Sequence, residues 1–305
     1  MRDNTAMKTG SNFRAPIVSG IFYPEDADEL VQLVQGLLER VSSEDDTQTH
    51  PPPGHQLRVL LVPHASYPHI GSYLARAFLH VSMTMPIERV VLVSTVHRDF
   101  EKRVWLPDFE AFRCPLADIP VDRQLIRRLT DRASNDNSSS DGGSFQINSI
   151  PFTEEHSQEI LLPMLARTAP KAVILPLLLG QNSRELIQHT AHSVKQLQLI
   201  DDPHTLFIIS SNLSSFTDSV NAQKQAQSFL SELEQDSPNF LASRRITACG
   251  RGGLQLVHEL FHGELTYLNL EVGRSGVIQP EQREVWYGSF AGYIPIKTHT
   301  NREEL

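Results

Sequence analysis

Apolar residues recur along this chain with two alternating spacings. In "PEDADELVQLVQGLLERV", Leu30, Leu33, Val34, Leu37, Leu38 and Val41 follow a 3.6-residue period and Asp26 stands where a cap belongs, so the spacing predicts a first helix. Shorter runs then follow that are apolar almost without a break: "RVLLV" (58–62), "VVLVS" (90–94), "AVILPLLLG" (172–180) and "TLFIISS" (205–211). Runs of that length, rich in branched side chains, read as strands covered on both faces. Helical patterns over 71–80, 121–131, 155–168, 183–198 and 219–235 separate them. The β/α alternation predicts an α/β fold, a single domain whose central, largely parallel or mixed sheet is flanked by helices. Towards the end, "LTYLNLEV" and "REVWYGSFAGYIPI" alternate apolar and polar positions and predict antiparallel strands at one edge of that sheet.

Breaks in the pattern set the expected boundaries. Residues 15–297 read as the domain and 1–14 as a flexible N-terminal tail. "SSEDDTQTHPPPG" (42–54) reads as a polar connector, and the low-complexity "RASNDNSSSDGGSFQIN" (132–148) as a surface loop within the domain. The bulk numbers narrow the partners. A formal charge of −9, with no stripe of Lys or Arg, argues against a phosphate backbone, so no nucleic acid is expected. No apolar run is long enough to span a bilayer, so no membrane is expected either. Two cysteines, Cys114 and Cys249, do not make a disulfide framework, and a reducing cytoplasm is the expected setting.

In an open α/β sheet the functional crevice lies beyond the carboxyl ends of the strands. Pro63-His64 follows the first buried run, "STVHRD" with His97 follows the second, and "SSNLSSF" with Asn212 and Ser215 follows the fourth. Neutral imidazoles leaving neighbouring strands can converge on one metal ion, although each histidine taken singly also reads as a hydrogen-bonded turn residue. Cys249 precedes Gly250-Arg251-Gly252-Gly253 and an amphipathic helix. A helix N-terminus and a neighbouring arginine favour thiolate, the form that binds metals, while a small buried side chain in a tight turn is the plainer alternative. In "PFTEEHSQEILLP" the expected helix places Glu155, His156 and Glu159 in its first turn, where Glu159 could orient His156 for acid–base work or simply complement the helix dipole. Phosphate-cradling glycine loops, H-E-x-x-H and G-x-S-x-G are all missing from the sequence, so nucleotide-binding and hydrolase readings have no motif behind them.

The motifs "SGIFYPEDADEL", "VPHASYPHIGSYLARAF", "VVLVSTVHR", "CPLADIPVD", "EEHSQEILLPML", "LPLLLG", "FIISSNLSSF" and "TACGRGG" occur in this order from about Ile17 to about Pro295. As a collinear set they resemble the Memo family, also called AmmeMemoRadiSam system protein B, which is similar in fold to the class III (LigB-type) extradiol dioxygenases. The resemblance implies metal ligation by His64, His97 and Cys249, and it matches Glu155, His156, Ser157 and Glu159 to the family's E-H-S-x-E motif. From these, His156 and Glu159 are expected as catalytic groups. The implied cofactor is a divalent or soft transition metal, iron first, with copper or zinc as alternatives. Two positions depart from the family's S-S-D-[FL]-x-H: Asn212 replaces the acid and Ser215 the histidine, while Ser66 stands at a family glycine. The expected function is therefore a metal-binding protein, with metal-dependent redox or oxygen-using chemistry at an open two-His-one-Cys site. The alternative is a non-catalytic module that takes a small molecule, a peptide or a protein partner in the same cleft.

Overall fold

A computed structural model of the chain describes residues 13–44, 50–98, 101–135, 144–235, 239–275 and 283–296. In chain order the elements are β1 (Phe13–Arg14), α1 (Ala27–Ser43), β2 (His55–Val62), α2 (Tyr67–Ser82), β3 (Arg89–Thr95), β4 (Val104–Leu106), β5 (Ala111–Cys114), β6 (Ala117–Pro120), α3 (Arg123–Asn135), β7 (Phe145–Ile147), α4 (Ile150–Glu154), α5 (Leu162–Thr168), β8 (Val173–Leu179), α6 (Arg184–Lys195), β9 (Thr205–Ser210), α7 (Ser219–Leu233), α8 (Arg251–Phe261), β10 (Thr266–Arg274) and β11 (Trp286–Pro295). Eight strands form one mixed sheet in the order β10-β11-β2-β9-β3-β8-β4-β7. Its centre, β2-β9-β3-β8, is parallel, and β11 and β10 close one side as an antiparallel pair, as the alternation at the chain's end predicts.

The four central strands are the four near-continuous apolar runs. Each needs such a sequence because both of its faces are covered: Val59–Val62, Val90–Val93, Ile174–Leu175 and Leu206–Ile209 are all fully buried. Helix α2 packs on β2 and β11 with α1 and α5 against it, while α8 packs on β3 and β9 with α6 against it. Asp26 caps α1, accepting the Glu29 N–H at 2.9 Å. Among the described residues no helix is long and apolar enough to cross a membrane.

Three expectations are corrected. The region 155–168 is not one helix: α4 ends at Glu154, Glu155 is extended (φ −105°, ψ 123°), a 3-10 turn spans Glu159–Leu161, and α5 begins with Pro163 in its first turn. The Glu155 carboxylate accepts the Ser157 N–H at 2.9 Å, an alternative to helical hydrogen bonding, and Pro163 favours a fresh start. The expected tail over 1–14 does not reach residue 14. Phe13–Arg14 pair in parallel with β5, joining the small sheet β1-β5-β6, and Arg14 is buried; residues 1–12 lie outside the described residues. The expected loop over 132–148 is bounded within that range by α3, which runs to Asn135, and by β7, while 136–143 lie outside the described residues.

Candidate metal centre

Strand order builds the site. β9 lies between β2 and β3, so the segments leaving these three strands emerge side by side, His64 and His97 flanking Asn212. Parallel strands are about 4.8 Å apart, so two strands separated by a third are about 10 Å apart. The imidazoles bridge that gap, with ring centroids 5.2 Å apart and planes at 80°. Helix α8, lying on β3 and β9, brings Cys249 in from the side, one residue ahead of its N-cap Gly250.

The cysteine is held by its neighbours on the sheet. Thr95 donates its hydroxyl to the Cys249 carbonyl at 2.8 Å, and the Gly250 N–H donates to Ser211 Oγ at 2.9 Å. A Cβ at residue 250 would lie 2.4 Å from the Ser211 Cβ, so only glycine allows the approach. One ligand atom each from His64, His97 and Cys249 lies within 4.8 Å of the other two, and among the described residues this is the one group of three or more histidine, cysteine or acidic side chains that could hold a metal ion. His64 is buried, Cys249 partly exposed, and the His97 side chain 40% exposed, so the cluster opens on the His97 side.

The donor atoms are selected from behind. His97 Nδ1 lies 2.9 Å from Glu155 Oε2, and its backbone N–H donates to the same oxygen at 3.1 Å. His64 Nδ1 lies 2.8 Å from Ser210 Oγ. Both Nε2 atoms are thereby left for the front, and His64 Nε2 stands 3.4 Å from Cys249 Sγ. Asn212 completes the frame. Its Oδ1 accepts the His64 N–H at 3.1 Å, its Nδ2 donates to the His64 carbonyl at 3.4 Å, and its backbone N–H donates to Sγ at 3.4 Å. An amide can accept and donate on one backbone unit in this way; a carboxylate could only accept.

Charge follows geometry. Desolvation works against a Cys249 thiolate, but the charge and hydrogen bonds of His64 and His97 outweigh it and hold the thiol well below its usual range. Hydrogen bonds to Cys249 and then to Glu155 push His97 up to about 10. Burial alone would raise Glu155, yet the bond and charge of His97, with the Ser157 N–H, bring it down to about 2. The groups thus favour a thiolate beside a protonated imidazole, and a cation taking that position would displace the proton on His97 Nε2. Two imidazoles and a thiolate, each fixed from behind, are a donor set that fits a transition-metal ion.

The expected catalytic pair does not stand together. His156 is at the site: its ring stacks on His97 (5.9 Å, 15°) and stands edge-on to His64 at 5.9 Å and to Phe22 at 5.3 Å. Burial lowers its pKa despite Glu155, so it is a neutral base, and its nearest carboxylate is Glu155, 3.8 Å from Nδ1. Glu159 faces the other way. Fully buried, it pairs with Arg14 and accepts the N–H groups of Ile17 and Val18 and the Tyr23 hydroxyl. Its role is to hold the N-terminal segment, because four donors converge on it from that segment. Ser215 is exposed and bonds to Gln225 and Thr247. Sequence reasoning assigned no role to Ser210, or to Arg14, which donates to the Glu155 carbonyl at 2.8 Å; the one available signal was a pair of serines ending an otherwise apolar strand. Beside the cluster a cleft of about 440 Å³ is lined by His97, His156, Arg98, Glu154, Trp105 and Ile150 among others.

Comparison with known proteins finds relatives of this chain. Residues 14–264 match the family described as Memo-like protein. A MEMO1 family protein of Nitrosopumilus maritimus is 24% identical over 255 residues, covering 80% of this chain and 85% of its own length. One of Thermotoga neapolitana is 26% identical over 253 residues, covering 81% and 88%. Among solved structures, an uncharacterized protein of Escherichia coli K12 superposes with a TM-score of 0.50 at 14% identity, over 77% of this chain and 99% of that one, a likeness of fold.

Proposed function

The chain belongs to the Memo-like protein family, and from that premise we propose that it binds one transition-metal ion through His64 Nε2, His97 Nε2 and Cys249 Sγ and uses it in redox or oxygen chemistry. The observation that carries this reading is the convergence of three donor atoms within 4.8 Å, with both imidazoles hydrogen-bonded on their far side. Thiolate and imidazole donors favour Fe(II), Cu(I) or Zn(II) over magnesium or calcium, and iron is the first choice for a site open to a third party. When bound, such an ion supplies Lewis acidity and, if iron or copper, electrons. The chain supplies the rest. The cleft takes a small molecule or a peptide segment next to the exposed face of His97, and neutral His156 accepts or returns a proton there. Asn212 and Thr95 keep the ligand backbone still.

Anaerobic reconstitution with Fe(II) tests this. Wild type should bind close to one equivalent and Cys249→Ala little; equal binding by both ends the proposal. Acid should release the ion as protons compete for imidazole and thiolate, and retention through the histidine range would count against these donors. A second reading has one observation in its favour: Asn212 is committed to the His64 backbone, and Ser215 to Gln225 and Thr247, so neither offers a catalytic proton. On that reading the same cleft binds a peptide or protein partner and no turnover accompanies the binding.

A further inference from the structure

The two imidazoles are oriented by different side chains, and both arms end on the backbone of one residue, Ser157. Ser210 Oγ, 2.8 Å from His64 Nδ1, also lies 2.8 Å from the Ser157 carbonyl oxygen. A carbonyl can only accept, so the one hydroxyl proton of Ser210 is committed to it, and His64 meets a lone pair. Nδ1 of His64 must therefore carry the proton. On the other arm Glu155 Oε2 accepts from His97 Nδ1, while Oε1 accepts the Ser157 N–H at 2.9 Å. An ionised carboxylate has no proton to give, so Nδ1 of His97 is protonated by the same elimination. Ser210 and Ser157 are fully buried and Glu155 is 5% exposed, so water does not compete for these bonds.

We infer that Ser210 and Glu155 are positioning residues that hold both histidines as Nδ1–H tautomers with Nε2 facing the ion, and that the two arms are coupled through the backbone of Ser157. The inference rests on the metal-binding reading above. Its physical content is that the two supports are not independent: the N–H and the carbonyl of Ser157 lie in adjacent peptide units that meet at its one Cα, so a shift of this buried residue on losing Glu155 also moves the acceptor of Ser210. Glu155→Gln offers one acceptor where the carboxylate offers two, and Ser210→Ala offers none.

The test uses Zn(II), which is diamagnetic, with affinity measured by competition against a chromophoric chelator. Each single variant should bind about 10- to 100-fold more weakly than wild type. The double variant should lose less than the product of the two single losses, because the first substitution has already loosened Ser157, on which both arms rest. Ser210→Thr, which keeps the hydroxyl, should recover most of the affinity. Independently of any variant's folding, nitrogen-15 spectra of histidine-labelled, zinc-loaded wild type should show protonated Nδ1 and metal-shifted Nε2 for both His64 and His97. Unchanged affinity in the single variants, losses that simply multiply, or a proton on Nε2 of either ring would overturn the inference. Wild type that takes up no zinc would instead overturn the proposed function itself, so the two failures are distinct.

Discussion

Cys249 and Cys114 are the same thiol placed in opposite surroundings. Cys249 faces two imidazoles and receives the Asn212 N–H, and its pKa falls far below the usual range. Cys114 is buried at the end of β5, and burial pushes it up to about 11. Reactivity follows thiolate content, so metal-free protein at pH 6 should be alkylated by iodoacetamide at Cys249 and not at Cys114, with Zn(II) suppressing the modification. Peptide mapping by mass spectrometry reads both sites; equal labelling of the two would contradict these environments. The residue scale also shows what one sequence can reveal. His64, His97 and Cys249 were legible because each borders a strong element signal: the histidines follow two strand ends and the cysteine precedes a helix start. Ser210 and Glu155 were not, because their partners lie 146 and 58 positions away in the chain, and no local pattern encodes such a meeting. Glu159 was misread for the same reason, since its partners arrive from the N-terminal segment.

At the scale of elements, the long strands and helices were readable and the short ones were not. Strands of two to four residues, β1, β4, β5, β6 and β7, carry too few positions for any period to emerge. The break between α4 and α5 was hidden because helix-compatible residues fill it, while the bonds of the Glu155 carboxylate to the Ser157 N–H and to His97, together with Pro163, favour a break there. One inter-element contact has a measurable pH signature. His80 of α2 is buried against the hydroxyl of Tyr293 on β11, and burial lowers its pKa from 6.5 to about 4. Between those values the unfolded chain binds more protons, so stability rises with pH. The contribution, about 3 kcal/mol, is fully present above pH 6.5 and is lost as pH falls towards 4. Urea midpoints across that range should fall steadily in acid, and less steeply in His80→Phe; parallel slopes would exclude His80 as the cause.

For the whole molecule, the α/β class and the antiparallel edge followed from hydrophobic spacing, whereas the closing contact of the N-terminal segment did not. Arg14 reaches Glu159 and the carbonyls of Phe152 and Glu155, tying β1 to the turn that carries the His97 support. Removing one member of a buried ion pair strands the other, so Arg14→Met should cost about 3–5 kcal/mol of stability. A thermal melt of the metal-free protein measures it, and an unchanged midpoint would mean that the pair contributes nothing. The interleaved strand order has a temporal consequence. β9 must insert between β2 and β3, and Cys249 follows another 39 residues beyond its last residue, so a nascent chain has no cup for an ion until most of it has left the ribosome. On the metal-binding reading proposed above, an ion could not template folding from the start; it would enter only after β9 and α8 had docked.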